Sequence, residues 1–174
     1  MTQAHLADAA GSLGLGLANP GVPAFAGAVP VEADTTEHAA SMIGQGKVLA
    51  SPLAMATVAA SVAAGQTVVS TLIQGADTLP ESDPAPLSED EAGQLRTMMR
   101  AAVDYGSATF LGDVPGEPVG AKTGTAEYGT DDPPRTHGWM IAIQGDLAVA
   151  AFVEDAESGS HTAGPLLKEF LANE

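Results

Sequence analysis

A run of four residues, Lys122-Thr123-Gly124-Thr125, places a cation, two hydroxyls and a glycine backbone together in the chain. These groups can attract an anionic ligand and hydrogen-bond to it, because an ammonium carries donors only and a hydroxyl both donates and accepts. The whole chain holds only six Lys and Arg against 22 Asp and Glu. We therefore do not expect a lysine beside a glycine to be an ordinary solubilising surface residue. This run is the candidate site for chemistry.

Composition limits the classes of protein to be considered. With 174 residues, 45% of them hydrophobic and 16% charged, the chain is predicted to form a single globular domain, residues 1–174. A net charge of −16 repels phosphate backbones and anionic lipid surfaces, so nucleic acid is not an expected partner. The absence of cysteine excludes a thiolate nucleophile and a cysteine zinc site. The four histidines show no metal-ligand spacing, and we expect neither a metal nor a cofactor.

Membrane and export signals are not visible in the sequence. The first residues lack the basic and apolar regions of a signal peptide. The longest apolar stretch, 53–64, is rich in alanine and too short to span a bilayer. We expect this chain to be soluble, with neither a signal peptide nor a transmembrane segment.

Helical patterns are predicted at five places, with approximate ranges 2–14, 34–44, 52–64, 88–105 and 162–173. The third is the clearest, because Ser51 suits an N-cap, Pro52 the first helical position and Gly65 a left-handed C-terminal cap. Ser88 and Glu91 form a capping box for the fourth helix. The last helix carries apolar residues on one face, which is suited to covering a sheet.

Strand patterns dominate the second half of the chain. Residues 119–126, 139–144 and 147–154 are predicted as successive strands, and Gly145-Asp146 is a two-residue hairpin turn between the last two. The β-branched run 67–73 is predicted as another strand, and the acidic, proline-rich stretch 77–87 as a loop. The predicted fold class is α+β, an antiparallel sheet with flanking helices.

Two readings of the Lys-Thr-Gly-Thr run compete with a functional strand. Residues 116–123 nearly match a phosphate-binding P-loop, but Ala121 replaces the glycine before the lysine and glycines and prolines follow where a helix should begin. The other reading is a lysine that opens an exposed edge strand, which is the default for an isolated match. The context of the run is what favours function.

Three passages resemble the C-terminal part of the transpeptidase domain of penicillin-binding proteins, of the high-molecular-weight type. They are the stretch 43–56 with its Gly-Gln-Gly and Ser-Pro-Leu, the strand 120–127, and the start of the next strand at His137-Gly138-Trp139. Lys-Thr-Gly alone is weak, but the combination at this spacing is specific. The resemblance covers most of the chain from about residue 40 and implies the C-terminal portion of the β-lactamase/transpeptidase-like fold.

The resemblance also implies a substrate and roles for the four residues. The partner would be the D-Ala-D-Ala end of a peptidoglycan stem peptide, or a β-lactam, lying antiparallel along the strand. Lys122 would supply positive charge for the ligand carboxylate and for proton transfer, and the hydroxyls of Thr123 and Thr125 would hydrogen-bond that carboxylate. Gly124 would allow close approach. The backbone N–H of Thr125 would be one of two oxyanion-hole donors.

The nucleophile of that family is missing from this sequence. No lysine has a serine three residues before it, and neither asparagine has a serine two residues before it, so the Ser-x-x-Lys and Ser-x-Asn motifs are both absent. We expect a fragment that begins just after those motifs, inactive by itself, of a parent enzyme anchored at the membrane in the cell envelope. Two alternatives stay open: a carboxypeptidase or β-lactamase of the same superfamily, and a noncatalytic peptide- or β-lactam-binding module. The exposed edge of strand 147–154 predicts a homodimer.

Overall fold

The computed structural model describes residues 1–17, 22–73 and 85–174. The chain divides into two compact units, Met1–Ala92 and Gly93–Glu174. No helix in the described ranges is both long enough and apolar enough to cross a bilayer.

Among the described residues, three helices lie entirely within the first unit: α1, Gln3–Ser12; α2, Thr35–Ser41; and α3, Pro52–Ala64. Each begins at a side-chain cap, in which the oxygen of Thr2, Asp34 or Ser51 accepts a backbone N–H from the first turn. An isolated antiparallel bridge joins Ala28 to Leu49. All three helices lie where the sequence predicts them.

Helix α3 has the predicted boundaries. The hydroxyl of Ser51 accepts from the N–H of Ala54 at 3.2 Å, and Gly65 ends the helix with φ +71°, a conformation that glycine adopts without strain. Small side chains from several faces of this helix are buried. They are Ala54, Thr57, Ala59, Ser61 and Val62. The helix is therefore packed against neighbouring residues on more than one face, unlike a surface helix that buries a single face.

The predicted strand at 67–73 is wrong, because these residues form no strand. Their polar groups bond to helices and loops instead: the Thr67 hydroxyl donates to the carbonyl of Ser12 at 2.7 Å, and the Val68 N–H donates to the Ser61 hydroxyl at 2.9 Å. A strand needs a partner strand for its backbone groups, and β-branched residues do not supply one. The predicted loop 77–87 lies mostly outside the described residues.

Helix α4, Glu89–Asp104, begins with the predicted capping box. The N–H of Glu91 donates to the Ser88 hydroxyl at 3.3 Å, and the Ser88 N–H donates back to the Glu91 carboxylate at 3.0 Å. A short 3₁₀ turn, Thr109–Leu111, follows the helix.

The sheet lies in the second unit and has three antiparallel strands: β1, Gly120–Tyr128; β2, Arg135–Gln144; and β3, Leu147–Val153. Their order in the sheet is β1-β2-β3. Gly145 has φ +57° in the two-residue turn between β2 and β3, which is the geometry that such a hairpin requires. The prediction of three successive strands is confirmed, with β1 and β2 longer than expected.

One face of the sheet is covered by helix α5, Gly164–Leu171, which contacts β2 and β3. A π-helical turn, Gly159–Ala163, precedes α5 and occupies the first residues of the predicted 162–173 helix. The core between these elements is apolar throughout. It consists of Val103, Ala108, Leu111, Val119, Ala121, Met140, Ala142, Ala163, Leu167 and Leu171. We call this covered side of the sheet the core face.

Candidate functional site

Strand β1 carries the four candidate residues, and its alternation divides them between the two faces of the sheet. Thr123 pairs with Met140 and Thr125 pairs with Gly138, so both threonines lie on the core face. Lys122 pairs with Ile141 and Gly124 with Trp139, on the opposite face. Successive strand residues must alternate in this way, so the lysine and the two hydroxyls cannot share a face and can meet only at an edge.

Hydrogen-bonded and non-bonded residue pairs alternate between β1 and β2, and the position of this alternation, the ladder phase, shows which edge of β1 is meant. A Cβ placed on Gly159 would stand in hard contact with both the Gly124 and the Trp139 carbonyl oxygens. The two oxygens therefore lie close to each other, which occurs only in a pair whose members exchange hydrogen bonds. Bonded and non-bonded pairs alternate along an antiparallel ladder, so Thr123 and Thr125 direct their backbone groups away from β2, toward the outer edge of β1.

This outer edge is bounded by cationic side chains. Lys122 is exposed, and its ammonium donates to the carbonyl of Thr123. Arg100, from α4, donates to the carbonyl of Val119 at 2.9 Å and forms an ion pair with Asp104 at 2.7 Å. The lysine thus bends around the strand and places its charge at the edge to which the threonine backbones point. No strand of the described residues pairs with that edge.

Both threonine hydroxyls contact residues outside β1. The Thr123 hydroxyl lies 2.8 Å from the hydroxyl of Ser107, which follows α4. The Thr125 hydroxyl accepts the N–H of Gly159 at 3.2 Å. Sequence reasoning missed Ser107 and Gly159, because neither belongs to a motif and they lie 16 and 34 residues from their partners.

Gly124 faces Trp139 across the ladder. A Cβ on Gly124 would lie 3.3 Å from the Trp139 Cβ, closer than most side-chain contacts. Glycine at this position therefore avoids a tight contact with the half-buried side chain of Trp139. Whether a ligand also needs this space stays a prediction.

Aromatic side chains line the face that Lys122 shares. Tyr128 and His137 stack with ring centroids 3.8 Å apart and an interplanar angle of 7°. Phe152 contacts both His137 at 5.2 Å and Trp139 at 4.4 Å between centroids. Trp139 therefore belongs to a row of rings that runs across the sheet from β1 to β3.

Asp155, which follows β3, forms hydrogen bonds with residues at the C-terminal end of β1 and the N-terminal end of β2. Asp155 accepts hydrogen bonds from the Tyr128 hydroxyl and from the Arg135 guanidinium. The bond from Tyr128 and the charge of Arg135 lower the pKa of Asp155, and the same bond raises the pKa of Tyr128. In the ranges that the structure describes, no group of three or more His, Asp or Glu side chains could hold a metal ion.

Solved structures with this fold define the class of protein. The transpeptidase domain of penicillin-binding protein 3 from Burkholderia pseudomallei superposes with a TM-score of 0.76 at 22% identity, over 99% of this chain and 57% of that chain. Pseudomonas aeruginosa PBP2, solved in complex with WCK 5153, gives a TM-score of 0.73 at 23% identity, over 94% of this chain and 42% of that one. The fold is therefore that of a penicillin-binding protein transpeptidase domain, as the sequence predicts.

Sequence relatives identify the family. The family model described as "Penicillin binding protein transpeptidase domain" matches residues 1–172. The peptidoglycan D,D-transpeptidase PbpA of Mycolicibacterium smegmatis is 33% identical over 154 residues, and PbpA of Mycobacterium tuberculosis is 32% identical over 151. The chain belongs to the penicillin-binding protein transpeptidase family. The matches cover 76% of this chain but only 30% of each of these relatives.

Proposed function

We propose that this chain forms the substrate-binding strand of a penicillin-binding D,D-transpeptidase, an enzyme of peptidoglycan cross-linking. The observation that carries the proposal is the outer edge of β1, where the backbone groups of Thr123 and Thr125 and the ammonium of Lys122 meet. Membership of the family and the names of the PbpA relatives support it.

The outer edge suits an extended peptide that ends in a carboxylate. A D-Ala-D-Ala terminus would add to β1 as an antiparallel strand and take main-chain hydrogen bonds from Thr123 and Thr125. Lys122 would attract the terminal carboxylate, since a charged partner roughly doubles the strength of a hydrogen bond. The threonine hydroxyls would contact the same carboxylate as donors. A β-lactam presents a similar carboxylate beside an amide carbonyl.

In acyl transfer, Thr125 would act through its backbone. Its N–H would donate to the oxyanion that forms when a nucleophile attacks the carbonyl, and one such donor contributes about a hundredfold or more to the rate. Lys122 would assist proton transfer at the same edge.

The acylating group has no counterpart in these 174 residues, because no Ser-x-x-Lys or Ser-x-Asn motif is present. We therefore propose that this polypeptide alone binds the ligand but forms no covalent adduct. A second candidate is a noncatalytic module that binds peptidoglycan peptides or β-lactams through the same strand. A carboxypeptidase or β-lactamase of the superfamily would use the same four residues.

Two measurements test the binding proposal. Intact-mass spectrometry after incubation with a fluorescent penicillin is expected to show the unmodified chain, and a covalent adduct would contradict the absence of a nucleophile. Titration with diacetyl-L-Lys-D-Ala-D-Ala, followed by NMR, is expected to shift the amides of β1 first.

The matched variants are Lys122→Met and Lys47→Met. They change the net charge equally, but Lys47 is an exposed residue of the first unit. Loss of a charge-assisted hydrogen bond of about 1.5–3 kcal/mol predicts at least tenfold weaker binding for Lys122→Met alone. Equal affinities for the two variants would refute the role of Lys122.

A homodimer through β3 is a further part of the proposal. Leu147–Val153 carries no charge, and within the described residues it pairs only with β2. Such an apolar edge is a pairing site. The ladder phase directs the backbone groups of Ala150 outward, so Ala150→Pro removes one outward N–H and leaves the pairing to β2 intact.

Sedimentation velocity of the wild-type chain and of Ala150→Pro tests the dimer. We expect a concentration-dependent dimer for wild type and a monomer for the variant. A wild-type chain that stays monomeric at all concentrations would overturn this part.

For the parent protein we propose a membrane-anchored location in the cell envelope.

A further inference from the structure

The segment that follows β3 crosses the sheet directly over the candidate strand. It comprises Ser158 and the π-helical turn Gly159–Ala163, and we call it the crossing segment. Two hydrogen bonds, one within the segment and one to the residue before it, give it a defined shape. The Ser158 hydroxyl accepts the His161 N–H at 3.1 Å, and the Thr162 hydroxyl accepts the Glu157 N–H at 3.1 Å. A segment braced in this way can act as a rigid support rather than a loose connection.

Gly159 is a point of close contact between the crossing segment and the sheet, and it is buried. A Cβ there would collide with the carbonyl oxygens of Gly124 and Trp139 and would lie 2.9 Å from the backbone N of Gly124. These are backbone atoms in a hydrogen-bonded ladder, so they cannot move aside as the end of a flexible side chain can. Gly159 does not have a positive φ, so the requirement for glycine is steric and not conformational.

The same close approach delivers a hydrogen bond to a candidate site residue. The Gly159 N–H donates to the Thr125 hydroxyl oxygen at 3.2 Å. A bond from a buried backbone N–H restricts the rotation of the threonine side chain, and it occupies only one acceptor position of the hydroxyl. The crossing segment therefore contacts the candidate strand through a side-chain hydrogen bond as well as through its backbone.

We infer that Gly159 is a positioning residue for the candidate site: by resting on the backbone of Gly124 it fixes the Thr125 hydroxyl, and with it the outer edge of β1, in the geometry that the ligand carboxylate requires. The inference rests on the proposed function for the role of Thr125 in binding. The contact itself does not depend on that function.

Substitution at Gly159 is expected to weaken ligand binding without unfolding the sheet. A methyl group in Gly159→Ala must lift the crossing segment away from β1 and break the bond to Thr125. A displacement of about 1 Å at a binding site costs up to a hundredfold in function, so we expect at least tenfold weaker binding of diacetyl-L-Lys-D-Ala-D-Ala.

The experiment uses the full 174-residue chain and two NMR measurements. The first is hydrogen exchange of the Gly159 amide in wild type, Thr125→Val and Thr125→Ser. Valine keeps the shape of threonine but cannot accept a hydrogen bond, whereas serine keeps the hydroxyl. We expect faster exchange in Thr125→Val and rescue in Thr125→Ser. This measurement does not require that Gly159→Ala folds.

The second measurement compares the side-chain rotamer of Thr125, from three-bond couplings, and the peptide affinity in Gly159→Ala and in Gly93→Ala. Gly93 lies within α4, where a Cβ would come no closer than 3.9 Å to another atom, so the control is expected to match wild type. We expect rotamer averaging and weaker binding in Gly159→Ala only.

The outcomes separate the two proposals. Exchange of the Gly159 amide that is unchanged in Thr125→Val, or a fixed Thr125 rotamer in Gly159→Ala, would overturn the positioning role whether or not the peptide binds. Equal peptide affinities for Gly159→Ala and wild type would also overturn it. A wild-type chain that binds no peptide, with the exchange and rotamer results as expected, would refute the proposed function while supporting the contact.

Discussion

Replacement of Leu167 by alanine should destabilise the unit that contains the sheet by about 3 kcal/mol. Leu167 is 1% exposed and belongs to the core that holds α5 on the sheet. Truncation removes three carbon atoms, worth about 2.4 kcal/mol at about 0.8 kcal/mol each. The cavity left behind adds to this loss, which brings the total into the range of roughly 2.7–5 kcal/mol for buried leucines.

The neighbouring Leu166 provides the matched control, because the same change occurs one residue away on the same helix with the side chain 55% exposed. We expect Leu166→Ala to cost less than about 1 kcal/mol. Urea unfolding can be followed by the fluorescence of Trp139, the single tryptophan of the chain, which lies on β2 and therefore reports this unit.

The two variants should differ in unfolding midpoint but not in the slope of the transition, since the area exposed on unfolding is nearly unchanged. Equal losses of stability for Leu166→Ala and Leu167→Ala would refute the packing of α5 described above. A loss below about 1 kcal/mol for Leu167→Ala would do the same, because it would mean that the site is not buried.

Two further predictions concern a helix cap and a titrating group. Ser51→Ala should cost the first unit about 1 kcal/mol, because it removes the acceptor for the Ala54 N–H, and Ser51→Asn should recover most of that loss in thermal unfolding by circular dichroism. Asp155, whose folded-state pKa is lowered by Tyr128 and Arg135, stabilises the fold above the ordinary carboxyl pKa, and that stability is lost as the pH falls through the lowered value. Asp155→Asn should therefore unfold at a lower urea concentration than wild type at pH 7. Its unfolding midpoint should also fall less steeply between about pH 5 and pH 2. Identical pH profiles of the midpoint for variant and wild type would count against the Asp155 contacts.

Local patterns were sufficient wherever a structure depends on neighbours in the chain. The ends of α3 follow from Ser51 and Gly65, because a cap satisfies backbone groups within the same turn. The hairpin between β2 and β3 follows from Gly145-Asp146, because the turn sets the register of the two strands. The strand predicted at 67–73 was wrong for the opposite reason. A strand depends on a partner strand elsewhere in the chain, and the polar groups of these residues find other hydrogen-bond acceptors instead.

By itself, the sequence determined that Lys122, Thr123, Gly124 and Thr125 lie on a strand next to an antiparallel neighbour, since alternation and turn residues are short-range signals. Only the tertiary structure decided which edge of that strand receives the backbone groups of the threonines, because the phase of a ladder is set when two strands pair. Only the tertiary structure also brought Gly159 against Gly124 and Ser107 beside Thr123. These contacts join residues that are far apart in the chain, and they depend on how the helices and turns cross the assembled sheet.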